Sequence, residues 1–218
     1  MKDRDIHACI RLLQTEVLGW KEPVVGIVAK STQDPFRILI STVLSLRTRD
    51  QTTADASERL FRLAATPQAM LKITRHRIER AIYPVGFYRT KAANILDISR
   101  ALIERYKGRV PDDINELLTL KGVGRKTANL VMTLGFAKPG ICVDIHVHRI
   151  SNRWGYIDTK TPAQSEEALR LKLPKRYWII YNDLLVPFGQ NLCKPISPLC
   201  SRCKLFRYCE RKGVTTSR

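Results

Sequence analysis

The chain has 218 residues, 44% of them hydrophobic and 27% charged, a balance that supports a buried core and excludes intrinsic disorder. Its 38 Lys and Arg outweigh 20 Asp and Glu, and the net charge of +18 attracts polyanions, nucleic acid first. No apolar run reaches about 18 residues and no secretory leader follows Met1, so no membrane partner and a cytoplasmic location are expected.

Helical periodicity runs through most of the chain. Ile6, Cys9, Ile10, Leu13 and Val17 fall on one stripe of an opening helix. Asp34-Pro35 caps and starts a second, through Phe36, Leu39, Ile40 and Val43. Asp50 caps a third that contains Ala54, Leu60, Leu63 and Ala64. A short helix follows Thr66-Pro67, and another runs from Thr74 to about Tyr83. The longest pattern spans Lys91 to Tyr106, faces Ala92, Ile95, Leu96, Ile98, Leu102 and Ile103 inward, and stops at Gly108 and Pro111. Further helices are predicted over 113–119, 125–135, 145–154, 162–172 and 177–186. Val24–Ala29 has strand character but no convincing partner, so the predicted class is all-α. After Pro187 the periodicity gives way to Cys, Pro and basic residues, in a tail too short for a core of its own.

Two of these helices are joined by a chemically pointed turn. Leu118-Thr119-Leu120-Lys121-Gly122-Val123-Gly124-Arg125-Lys126-Thr127-Ala128 places a Gly-x-Gly directly before a helix start. The glycines permit unusual backbone angles and clear the way for an approaching group. Backbone N–H groups at the helix start, flanked by Lys121 and Arg125, form a nest for a phosphate. Such a nest grips a nucleic-acid backbone without reading sequence.

Lys126 and Asp144 form a candidate chemical pair. The helix that begins beside Lys126 rises about 16 Å over some 11 residues. An extended stretch from Ala137 to Val143 can run back over that distance and return Asp144 to the hairpin mouth. A carboxylate beside a lysine amine can accept its proton and stabilise positive charge developing on a sugar. As a lone residue, Asp144 would simply cap the helix over 145–154. His146 and His148 make an H-x-H without an obvious third ligand, read as one structural and one surface histidine.

Four of the six cysteines crowd the tail, spaced Cys193-x6-Cys200-x2-Cys203-x5-Cys209. Four thiolates suit tetrahedral zinc or an iron–sulfur cube. Zinc modules usually pair two short knuckles, and this tail has one. Lys194, Arg202, Lys204 and Arg207 sit among these cysteines and can present cations to phosphates.

The hairpin string resembles the helix-hairpin-helix of the endonuclease III family of DNA repair glycosylases, and so does the sequel Gly135…Pro139-Gly140 and Val143-Asp144-Ile145-His146. Similarity runs from about Pro35 to Cys209, and the cysteine spacing resembles that family's [4Fe–4S] signature. The resemblance implies two helical subdomains with a DNA-binding cleft between them. Residues 28–138 would form a six-helix barrel that includes the hairpin at about 113–135. Residues 1–27 and 139–218 would form the other subdomain, ending in a cluster loop over 193–209. Lys126 would attack the sugar C1′ and cut the strand by β-elimination, with Asp144 as base and stabiliser. The substrate would be damaged duplex DNA carrying an oxidised pyrimidine, and the protein a monomer. Hairpin contacts to DNA would come from Lys121, Gly122, Val123, Gly124 and Arg125, with Lys194 adding a cation.

The sequence departs from that family at the residues that fill the gap left by a flipped base. The family often has glutamine in the loop after the second helix, where this chain has Arg47; a second, usually aliphatic, wedge becomes Phe87. The adenine-removing branch carries a glutamate at about Thr42, so adenine removal is not expected. Two alternatives stay open: a glycosylase for uracil or thymine opposite guanine, and a catalytically silent DNA-binding module.

Overall fold

The computed structural model describes residues 1–20 and 34–218; the possible strand over 24–29 and the expected boundary near residue 28 lie outside them. Eleven α-helices and four short 3-10 turns make up the regular structure among the described residues, with no strand. The chain divides into two compact units: Met1–Glu22 with Pro139–Arg218, and Pro23–Lys138.

The unit Pro23–Lys138 is organised around α2 (Pro35–Ser45), whose residues Ile38 to Leu44 are all buried. A helix apolar on every side belongs in the centre of a bundle. It packs on α3 (Asp50–Leu63), α6 (Tyr88–Tyr106) and α8 (Arg125–Phe136). Between these lie α4 (Pro67–Leu71), α5 (Arg75–Ile82) and α7 (Ile114–Leu118). Among the described residues this unit thus holds seven helices, two of them only five residues long. The caps follow the sequence: Asp34, Thr66, Thr74 and Asp113 each accept backbone N–H groups at a helix start. Helix α3 differs slightly, with Arg49 at the cap and Asp50 as its first residue. Its buried stripe is Thr53, Ala56, Ser57 and Leu60, while Leu63 is exposed.

The unit Met1–Glu22 with Pro139–Arg218 contains α1 (Ile6–Glu16), α9 (Ile145–Arg153), α10 (Pro162–Lys172) and α11 (Trp178–Asn191). Its core gathers Ile6, Ile10, Leu13, Ile150, Trp154, Tyr181, Leu185 and Phe188. One predicted boundary was wrong. The periodicity breaks at Pro187, yet α11 continues through that proline to Asn191. An interior proline forfeits a helical hydrogen bond and costs about 3 kcal/mol in an isolated helix. Burial of Val186, Phe188 and Gly189 offsets it, with the Phe188 ring 6.3 Å from that of Trp154.

Candidate active site and cysteine centre

The hairpin is α7, a Gly-x-Gly turn and α8. Gly122 has φ +79°, an angle that favours glycine, and its Cα lies against the end of the Asn94 side chain. Gly124 is the N-cap of α8 and brings no side chain over the helix start. Arg125 and Lys126 are exposed in the first turn, while Thr127, Ala128, Leu130 and Val131 turn inward and seat the helix. Val123 is buried, so only its backbone is offered outward. Lys121 is exposed but paired, its Nζ 2.8 Å from Asp97, whose carboxyl it holds below the usual carboxylate range. Asn94 and Asp97 therefore steady the turn from α6.

The same helix supports the two candidate wedge residues. Arg47 (φ +54°) and Phe87 (φ +57°) both adopt the left-handed backbone that non-glycine residues rarely take. Phe87 is 63% exposed, Arg47 is exposed, and the Arg47 guanidinium lies 5.7 Å from the Phe87 ring centroid. Positions distant in sequence thus share one surface ridge.

Asp144 belongs to the other unit, at the start of α9. Its Oδ1 accepts the backbone N–H groups of His146 at 2.8 Å and Val147 at 2.9 Å, so it is a helix cap with a buried side chain. Asn182 Nδ2 donates to the Cys142 carbonyl and pins the strap that leads to Asp144. Neither histidine of the H-x-H is a plain surface residue: His148 Nδ1 lies 2.7 Å from Ser165 Oγ, and His146 Nδ1 lies 3.2 Å from Arg149.

None of the six cysteines forms a disulfide. Cys193, Cys200, Cys203 and Cys209 line one pocket, walled by Trp154, Phe188, Leu192 and Pro198. Burial pushes the Cys203 thiol up to about 12, and the neighbouring sulfurs add to the rise. N–H donors are aimed at this group: Arg153 Nη1 at Cys193 Sγ (3.3 Å) and the Arg211 backbone at Cys209 Sγ (3.3 Å). Arg153 also donates to the Lys194 and Pro195 carbonyls, which fastens the loop to α9. Lys194 is half-buried; Arg202 and Arg207 are exposed, whereas Lys204 pairs with Glu16 at 2.8 Å. Among the described residues no group of three or more His, Cys, Asp or Glu is drawn tightly enough to hold a single metal ion.

The HhH-GPD model, described as a superfamily of base excision DNA repair proteins, matches residues 40–175. Endonuclease III of Thermotoga maritima is 53% identical over 81% of this chain and 83% of its own. The chain belongs to the endonuclease III family. It is accordingly a base excision repair DNA glycosylase and lyase. A trapped covalent endonuclease III–DNA intermediate superposes with a TM-score of 0.86 at 33% identity, covering 97% of each chain. A thermostable thymine-DNA glycosylase gives 0.82 at 26% identity over 96% of each chain. The superfamily match ends before the cysteine tail, but the endonuclease III structure covers too much of this chain to omit it.

Sequence reasoning missed Lys91, Asn94 and Asp97, which carry the ridge and the hairpin turn, and Arg153 behind the cysteines. Lys91 gave a signal: it stands in line with Ile95, Ile98 and Leu102, on the stripe that faces the core.

Proposed function

We propose that this endonuclease III family member excises oxidised pyrimidines from duplex DNA and cuts the resulting abasic strand through a Schiff base on Lys126. The carrying observation is Lys126 itself, exposed in the first turn of the hairpin's second helix in a chain 53% identical to an endonuclease III. The related enzyme caught as a covalent DNA intermediate supports an enzyme over a silent module.

The Lys126 amine attacks C1′ as the bond to the base breaks, and the base leaves with that electron pair and gains a proton. Asp144 stabilises positive charge at the sugar and accepts the proton shed by the amine. The sugar opens to an imine on Lys126; loss of a C2′ proton then expels the 3′ phosphate and cuts the strand. The hairpin backbone from Lys121 to Arg125 holds the phosphates, and Arg47 with Phe87 fills the space the base vacates.

The four cysteines fit a [4Fe–4S] cluster better than one zinc ion. Zinc modules usually pair two short Cys knuckles, and this tail has a single Cys-x2-Cys, Cys200 to Cys203. A cube spreads its ligands, and the N–H groups aimed at Cys193 and Cys209 suit sulfurs carrying negative charge. When bound, the cluster ties the tail into a folded loop that presents Lys194, Arg202 and Arg207 to phosphates.

The test is a panel of duplexes, each with one defined lesion, with borohydride present during the reaction. Oxidised pyrimidines are expected to give covalent adducts that Lys126→Gln abolishes, with DNA binding largely retained. Adducts formed only with thymine or uracil opposite guanine would favour the mismatch reading that the thymine-DNA glycosylase likeness suggests. Wild-type protein that never traps would sink the Lys126 role.

A further inference from the structure

Lys91 is 6% exposed, although it lies within a turn of the DNA-facing ridge. Its ammonium has three protons and three acceptors: the Leu44 carbonyl at 2.8 Å, the Leu46 carbonyl, and Thr48 Oγ1 at 3.1 Å. All three belong to the end of α2 and the loop after it, and they flank Arg47 on both sides. Leu46 leaves the helical conformation (ψ 118°), so the Leu44 and Leu46 carbonyls need a donor from outside α2. A cation at a helix C-terminus also opposes the negative end of the helix dipole.

Lys91 reaches the second loop through its backbone. Its N–H donates to the Phe87 carbonyl at 3.0 Å, which closes the first turn of α6. Thr48 Oγ1 completes the junction by accepting the Gly86 N–H at 3.2 Å. A Cβ on Gly86 would come 2.6 Å from the Arg47 carbonyl, so the two loops are in backbone contact. One residue therefore bonds to both segments that carry left-handed, exposed side chains. Burial lowers Lys91 to about 8, which leaves the ammonium the main form at neutral pH.

We infer that Lys91 is a positioning residue for the Arg47–Phe87 ridge, holding the two side chains at the spacing from which they enter duplex DNA. It touches no substrate and acts through loops 46–48 and 86–87. A left-handed backbone is costly for a residue other than glycine and persists only where its surroundings impose it. Three hydrogen bonds from a buried cation supply such an imposition. The inference rests on the reading of Arg47 and Phe87 as wedges, and its test separates the two.

Lys91→Met keeps the apolar stem and removes the donors. Single-turnover trapping is measured on one abasic site in a duplex and in a single strand, beside the double variant Arg47→Ala/Phe87→Ala. The fluorescence of 2-aminopurine opposite the abasic site reports unstacking of the orphaned base. If Lys91 acts through the ridge, Lys91→Met loses about tenfold on the duplex, a cost on the scale of base extrusion. The single-strand rate then stays within about twofold, because no partner strand needs to be wedged. The unstacking signal falls as well, and Lys91→Met adds little to the wedge double variant. Equal losses on both substrates overturn the inference, since they mark general disruption. A wedge variant with a duplex-selective loss beside an unaffected Lys91→Met overturns the inference alone. A wedge variant without that loss overturns the wedge reading and the inference with it. Should Lys91→Met fold poorly by circular dichroism, Thr48→Val removes the shared acceptor and carries the same expectations at smaller size.

Discussion

The hairpin over 114–136 and the tail beyond Leu192 both carry exposed cations, Arg125 and Lys126 in one and Arg202 and Arg207 in the other, but they are held in different ways. The hairpin is built from ordinary helix chemistry: a capped short helix, a glycine turn and a second helix with a buried inner face. Its turn rests on Asn94 and Asp97 of α6, so the exposed Arg125 and Lys126 stand on a surface that needs nothing else. The tail has no regular segment longer than three residues and, after Cys193, few buried apolar side chains, chiefly Pro198 and Leu205. Four thiols and the Arg153 guanidinium replace the missing core. Substitutions on the hairpin's outer face should therefore change chemistry and leave stability alone. Substitutions at the tail's ligands should change stability and binding together.

The largest effect expected here tests whether chemistry and folding separate so cleanly at Asp144, which caps α9 and is proposed to act on the sugar. Asparagine caps a helix about as well as aspartate but lacks the charge. Asp144→Asn should keep the melting temperature and slow base removal by about 10²–10⁴-fold, the usual scale of general acid–base catalysis. Asp144→Ala should lose the same rate and also about 1 kcal/mol of stability with the cap. Single-turnover excision and thermal melts of the two variants decide it. A melt for Asp144→Asn as low as that for Asp144→Ala would show that the charge itself holds the helix start.

A smaller effect is expected in the tail, and it should appear in other measurements. Purified protein should be brown and carry about four irons per chain, because four cysteines saturate one cube. Cys200→Ser should lower the iron content, depress the melting temperature and weaken DNA binding about tenfold through the displaced cations. At saturating protein, borohydride trapping should proceed at close to the wild-type rate. A colourless protein with one zinc would overturn the cluster, and a trapping rate lost beyond the change in affinity would erase the contrast with the hairpin.

The same contrast explains what was legible in the sequence. Asp34-Pro35, Thr66-Pro67 and Thr74 marked helix starts because a cap and its partners lie within four residues of each other. The Gly-x-Gly string and the cysteine spacing were equally local. Lys91, Asn94, Asp97 and Arg153 were not, because each acts on a segment 24 to 47 positions away or across a helix pair. Pro187 misled for a related reason: its local cost is real, and the burial that overrides it comes from distant residues. Lysine and arginine on a buried stripe are the sequence trace that such long-range ties leave behind.

The smallest effect concerns Arg47, on the ridge that α6 supports. A residue that fills the space of a flipped base recovers part of a cost of a few kcal/mol, so its identity can tune substrate preference. Arginine offers a planar donor array that matches the O6 and N7 acceptors of guanine. Its guanidinium already lies over the exposed Phe87 ring, which restricts where the side chain can move. If Arg47 reaches the orphaned base, one lesion should be excised faster opposite guanine than opposite adenine. Arg47→Ala should reduce that preference about fivefold, the low end of what one good base contact contributes. If it binds phosphate instead, Arg47→Ala should weaken binding equally for all four opposite bases and flatten the salt dependence. Single-turnover excision opposite each base, at two salt concentrations, separates the outcomes. A uniform loss would assign Arg47 to the backbone-gripping chemistry of the hairpin, and a loss confined to guanine would make the ridge the one part of this surface that reads a base.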